Sequence, residues 1–135
     1  PGLTITYLLD YGPDSPVVPQ IYTVDVTPER FVNEIAFART FVLDSEVAAL
    51  KAQGYGTRTT AQDLLIFSAG GVIDNAVKAV DECARHKILD CIGDFALTGY
   101  ELQGYINAWR TGHNSNHELM KLLLQQSEAS HSRAA

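Results

Sequence analysis

The apolar positions of the chain change period several times, and each change marks an element. LTITYLLDY (3–11) is apolar, β-branched and aromatic, which predicts a strand. GPDSPVVP (12–19) is turn chemistry with three prolines, and QIYTVDV (20–26) alternates as a second strand does. The two read as a hairpin-like pair. TPERFVNEIAFA (27–38) then opens as a helix. Thr27 suits the N-cap, Pro28 the first helical position and Glu29 the positive end of the dipole. Phe31, Ile35 and Ala38 recur at helical spacing and form one buried stripe.

RTFVL (39–43) predicts a short strand. SEVAALKAQG (45–54) predicts a short helix with Ser45 as cap and Gly54 as terminator, and YGTRTTAQ (55–62) a loop. DLLIFS (63–68) reads as a buried strand followed by an AGG turn. Residues 75–99 are mostly helical in pattern, with a break near 81 that leaves a main helix over about 81–97 and Gly99 at its C-terminal cap. Gly93 inside that helix costs about 1 kcal/mol against alanine, and close packing on a strand would explain it. ELQGYINAWR (101–110) predicts a strand. GHNSNHELMKLLLQQ (112–126) turns into a helix, with Ser115 and Glu118 spaced as a capping box, and SEASHSRAA (127–135) reads as a flexible polar tail. The order β-β-α-β-α-β-α-β-α implies an α+β fold of two layers, sheet against helices.

A length of 135 residues suits one domain with a real core. No segment approaches 18 uninterrupted apolar residues, so no membrane span is expected. The net charge of −6 and pI of about 5.0 argue against nonspecific nucleic-acid binding, yet leave room for a small phosphorylated ligand held by one or two cations. Cys83 and Cys91 lie too far apart on one helix to pair with each other, and reduced thiols of a cytoplasmic protein are the simplest reading.

RHKILDCIGD (85–94) changes the picture. On a helical wheel Cys83, His86, Lys87, Asp90 and Asp94 share one side, while Ile88, Leu89, Ile92 and Phe95 occupy other sectors. His86 and Asp90, one turn apart, could reach the same metal ion. Two groups are not a complete site, and an i,i+4 pair also occurs as a plain solvated contact. Lys87 alone reads as a surface charge and Cys83 as a small buried residue. His113 sits at a strand-to-helix junction, where it could simply cap or face solvent. A contact with Asp94 would instead fix its tautomer and make it a general acid. His117 and His131 read as surface or tail residues, and Arg39, Thr40 and Phe41 as the entry to a strand.

These segments carry a resemblance. RHKILDCIGDFALTG, followed by LQGYINAWRTGHNSNHEL, resembles the carboxy-terminal signature of the zinc-dependent UDP-3-O-acyl-N-acetylglucosamine deacetylases, which act early in lipid A synthesis in Gram-negative bacteria. The upstream FVNEIAFARTF is similar to the family's segment before its second-domain insert, and the resemblance runs from about Leu3 to Gln126. It implies the second of two similar domains, spanning 1–126 with a small β-α-β-like insert at about 44–62 that forms the acyl-chain passage. It implies that His86 and Asp90 bind Zn2+, that His113 protonates the leaving amine and that Asp94 orients it. Lys87 would lie near the substrate's diphosphate, Thr40 and Phe41 along the sugar and uridine region, and Glu46 near the glucosamine. Leu43 stands where the family has an aromatic. The family's first domain supplies a third ligand, a His, and a Glu base. No histidine precedes His86 and the sequence starts at Pro1, so a fragment lacking that domain, inactive alone, is expected. The competing expectation is a non-catalytic module that binds a nucleotide sugar through Lys87 and Phe41.

Overall fold

A computed structural model describes residues 2–60 and 62–133, of which 128–133 as backbone. Strands β1 (Leu3–Leu9) and β2 (Gln20–Asp25) pair antiparallel, and β1 is also flanked by parallel β6 (Gly104–Trp109), giving the sheet order β2-β1-β6. A second sheet, β3-β4-β5, joins β3 (Thr40–Leu43) parallel to β4 (Leu64–Ser68), which turns back into β5 (Gly71–Val72). The helices are α1 (Pro28–Arg30), which passes into a π-helical turn at Phe31–Ile35, then α2 (Asp44–Ala52), α3 (Glu82–Ala96) and α4 (His113–Arg133). The expected α+β layering is what forms.

The alternation in β1 decides the layers. Ile5, Tyr7 and Leu9 point inward and are fully buried, while Thr4, Thr6 and Leu8 face out. Helix α3 covers the inner face with Cys83, Ala84, Ile88, Cys91 and Phe95, and Met120 of α4, Leu65 and Phe67 of β4 and Ile35 complete one continuous core. Helix α3 starts without a side-chain cap from Asp81, whose carboxylate is taken by Arg85 at 2.7 Å. Gln20 of β2 reaches across instead and accepts the Ala84 N–H at 2.9 Å. At the far edge, Tyr7 donates its buried hydroxyl to the Thr111 carbonyl at 2.6 Å, which pins the segment just before α4 to β1.

Several local expectations change. Helix α1 is a single turn, capped by Thr27 as expected, because the chain widens into the π-turn whose Glu34 is bonded by Arg30 and Tyr22. Ser45 does not cap α2: the helix starts at Asp44, and Glu46 folds back to accept the Leu43 N–H at 3.1 Å. Ser115 and Glu118 form no capping box, since α4 already begins at His113, with the Asn116 N–H on the Gly112 carbonyl at 3.0 Å. The expected AGG turn includes the short strand β5, and the expected polar tail is helical as far as Arg133.

Gly93 needs no close approach to a strand: it is exposed, and a Cβ there would meet nothing within 4 Å. Its cost is therefore purely the conformational one. Gly93→Ala should raise the unfolding free energy of the chain by about 0.5–1 kcal/mol in a urea titration, and a loss of stability would show that the position is packed.

Candidate active-site cleft

From the polar side of α3, His86, Lys87 and Asp90 face a cleft of about 680 Å³, while Cys83 is buried in the core. Its walls are the turn after β1, strand β3, the start of α2, α3 and the first residue of α4. Thr40, Phe41, Leu43, Glu46, His86, Lys87, Asp90 and His113 all line it. Tyr11 lines it too and was not foreseen; its ring stands 6.4 Å from that of Phe41. A neighbouring cavity of about 520 Å³ lies between α2 and strands β3 and β4, with Val42, Val47, Leu50, Leu64 and Ile66 in its walls. The expected insert supplies much of that lining.

His86 is set by its neighbours. Its Nδ1 lies 3.2 Å from the Ala38 carbonyl, and a carbonyl can only accept, so Nδ1 carries the proton. The lone pair of the neutral ring is then on Nε2, which faces Thr40 Oγ1 at 3.3 Å and Asp90 Oδ1 at 3.4 Å. The Phe41 ring meets the imidazole edge-on at 6.3 Å. One nitrogen and one carboxylate oxygen thus converge from successive turns, with the imidazole's other nitrogen held by the backbone. That donor set fits a zinc-type ion. Lys87 is not the loose surface charge that it resembles in isolation: its ammonium bonds Asp90 Oδ2 at 2.8 Å and its side chain is only 15% exposed.

At the other end of α3, Asp94 is buried beneath the cleft and holds α4. His113 Nδ1 donates to it at 2.8 Å, Asn116 Nδ2 at 2.8 Å, and His117 Nε2 lies 3.1 Å from its other oxygen. The expected Asp94–His113 contact forms, and it leaves His113 Nε2 unengaged by Asp94. Burial pushes the Asp94 carboxyl up, but the bonds from Asn116, His113 and His117 outweigh it and hold the carboxyl below the ordinary aspartate range. His117, read from sequence as a plain surface residue, belongs to this cluster. Its spacing of four from His113 was the signal available. Asp94, His113 and His117 also lie near enough to grip an ion, with donor atoms within 4.8 Å of one another. Their contacts with Asp94 have hydrogen-bond lengths, however, and Asn116 already occupies one carboxylate oxygen. His131 lies among residues whose side chains are not described.

Two further residues escaped the sequence. Glu82 is fully buried, and Arg39 meets it at 2.8 Å. Burial would raise the Glu82 carboxyl, yet the bonds from Arg39 and from the Lys78 N–H keep it lowered. The two cysteines are free and buried, and burial pushes each thiol up to about 11, which makes them inert packing groups.

Fold and cleft together define an α+β domain with imidazole and carboxylate groups gathered on one concave surface. The family is then settled by comparison. Residues 1–125 match the family model described as LpxC, UDP-3-O-acyl N-acetylglycosamine deacetylase, and the chain belongs to that family. It is 38% identical over 106 residues to the UDP-3-O-acyl-N-acetylglucosamine deacetylase of Syntrophotalea carbinolica, covering 78% of this chain and 34% of that protein. To the enzyme of the same name from Solibacter usitatus it is 39% identical over 100 residues, or 73% and 34% of the two chains. To that from Actinobacillus succinogenes it is 30% identical over 132 residues, or 95% and 43%. The chain therefore spans well under half the length of these relatives.

Asp94 makes the docking of α4 testable. Its folded-state pKa is lowered, so the stability it lends is present above the ordinary aspartate pKa and lost as pH falls through the folded-state value. Asp94→Asn should cost about 1.5–3 kcal/mol at pH 7 by urea denaturation and flatten the acid limb of the stability curve. An unchanged acid limb would mean that other carboxylates dominate it.

Proposed function

We propose that this chain forms one half of a zinc-dependent amide hydrolase that removes the acetyl group of UDP-3-O-acyl-N-acetylglucosamine, releasing acetate and the free amine for lipid A synthesis in the cytoplasm of a Gram-negative bacterium. The observation that carries the reading is the convergence of His86, Asp90, Lys87, His113, Thr40 and Phe41 on one cleft, with Asp94 beneath it. Curated relatives that match most of the chain bear the name of that deacetylase.

His86 through Nε2 and Asp90 through its carboxylate would hold the metal. Zinc, when bound, supplies an activated water and polarises a carbonyl. His113, with Nδ1 fixed by Asp94, keeps Nε2 for carrying a proton, and an imidazolium oriented this way would stabilise developing negative charge before giving its proton to the departing amine. Lys87, its ammonium held at the cleft wall by Asp90, offers a cation for a diphosphate. Thr40, Phe41 and Leu43 would line the sugar and uridine region, with Glu46 nearby, and the apolar cavity beside α2 would take the acyl chain. The cleft supplies only two donors in this reading. A third ligand and the base that takes the proton from water would come from a first domain outside this chain, so the chain alone would turn over little or no substrate.

Reconstitution tests this. The chain combined with the first domain of a relative should release acetate from the acylated sugar nucleotide in a zinc-dependent manner, and His113→Ala should lower kcat by about 100- to 10,000-fold. His86→Ala should abolish zinc retention. A folded, paired preparation that binds the nucleotide sugar equally well with and without His86 but releases no acetate would instead describe a non-catalytic binding module.

A further inference from the structure

One peptide group is bonded to α3 on both of its sides. The peptide joining Ala38 to Arg39 directs its carbonyl at His86 Nδ1, 3.2 Å away, and its N–H at Glu82 Oε1, also 3.2 Å away. Glu82 and His86 are one helical turn apart on the same face, and the peptide unit is rigid and planar. Its orientation therefore couples the two residues: a rotation that frees the N–H also withdraws the carbonyl.

The Arg39 side chain closes the same arrangement from outside. Its Nε donates to Glu82 Oε1 at 2.8 Å and Nη2 to Oε2 at 3.1 Å, a two-pronged contact of fixed direction. The guanidinium continues to Asn75 Oδ1 at 3.1 Å and to the Ala76 carbonyl at 2.8 Å. Glu82 is fully buried and lines no part of the cleft. Buried ion pairs are weak devices for stability alone, since apolar residues of similar volume often serve as well. Here the pair bonds the one peptide that sets the proton of a cleft histidine.

We propose that Arg39 and Glu82 are positioning residues for His86: they hold the Ala38 carbonyl against Nδ1 and so keep Nε2 as the bare nitrogen facing the cleft. The proposal rests on the deacetylase reading only in taking that nitrogen as the metal donor. The tautomer is a property of the chain itself. It is also the minor tautomer of an unrestrained histidine side chain, so its dominance requires a fixed acceptor.

The test is the tautomer of His86 in the 135-residue chain, read from nitrogen-15 multiple-bond NMR spectra at a pH where histidines are neutral. The wild type should show Nδ1–H. Removing the pair in the Arg39→Met/Glu82→Leu double variant should preserve folding and shift His86 toward Nε2–H. Glu82→Gln, which weakens the acceptor while retaining shape, should give a partial shift and serves if the double variant fails to fold. Asp81→Asn, which breaks the Asp81–Arg85 pair on the neighbouring turn, should leave the tautomer unchanged. A wild-type Nε2–H ring, or Nδ1–H retained in full in the folded variants, overturns the proposal. Absence of zinc binding in the reconstituted enzyme with the Nδ1–H tautomer intact would refute the deacetylase reading and leave the positioning role standing.

Discussion

Helix α3 buries two carboxylates, Glu82 in its first turn and Asp94 in its last, and each must be met by a donor from elsewhere in the fold. An ionised group out of water is tolerated only when paired and hydrogen-bonded. Glu82 obtains Arg39, which draws the start of β3 against the beginning of the helix. Asp94 obtains His113, Asn116 and His117, which draw the start of α4 against its end. Between the two lie His86, Lys87 and Asp90. The cleft exists because these two obligations bring β3 and α4 to opposite ends of one polar stripe.

The opposite side of α3 gives the arrangement its rigidity. Ala84, Ile88, Cys91 and Phe95 pack with the inner row of β1 in one core, and β1 lies at the centre of its sheet with a hydrogen-bonded neighbour on each side. A helix docked on a central strand can carry chemistry on its outward side without shifting, and both candidate catalytic histidines are then oriented by atoms that packing holds in place. His86 leans on a backbone carbonyl, His113 on a buried carboxylate. Each thereby has Nδ1 occupied and Nε2 left for the cleft.

Much of this was legible in the residues. The strands, the main helix and its polar stripe follow from periodicity, because period and burial are directly linked. The Asp94–His113 contact was foreseen from Asp94 sharing the stripe. The helix starts at Asp44 and His113 were not, since Leu43 has no capping side chain and a tertiary context decided where each helix begins. Arg39 and Glu82 were invisible for a different reason. They are 43 residues apart, and neither position looks buried until β3 and α3 are placed side by side. His117 was hidden only by treating α4 as solvent-facing; the same four-residue spacing that singled out His86 and Asp90 relates it to His113. The role of the cleft came from the family resemblance, because spacing alone leaves a His–Asp pair as either a ligand set or a surface contact.

The most direct measurement is whether zinc binds beside α3, and to which atoms. Crystals of the chain paired with a first domain from a relative, measured on either side of the zinc absorption edge, would give an anomalous difference peak. The account predicts that peak within bonding distance of His86 Nε2 and the Asp90 carboxylate, with His86 Nδ1 still against the Ala38 carbonyl and Asp94 still holding His113. A peak held instead by Asp94, His113 and His117, or no peak beside α3 in a folded complex, would contradict it.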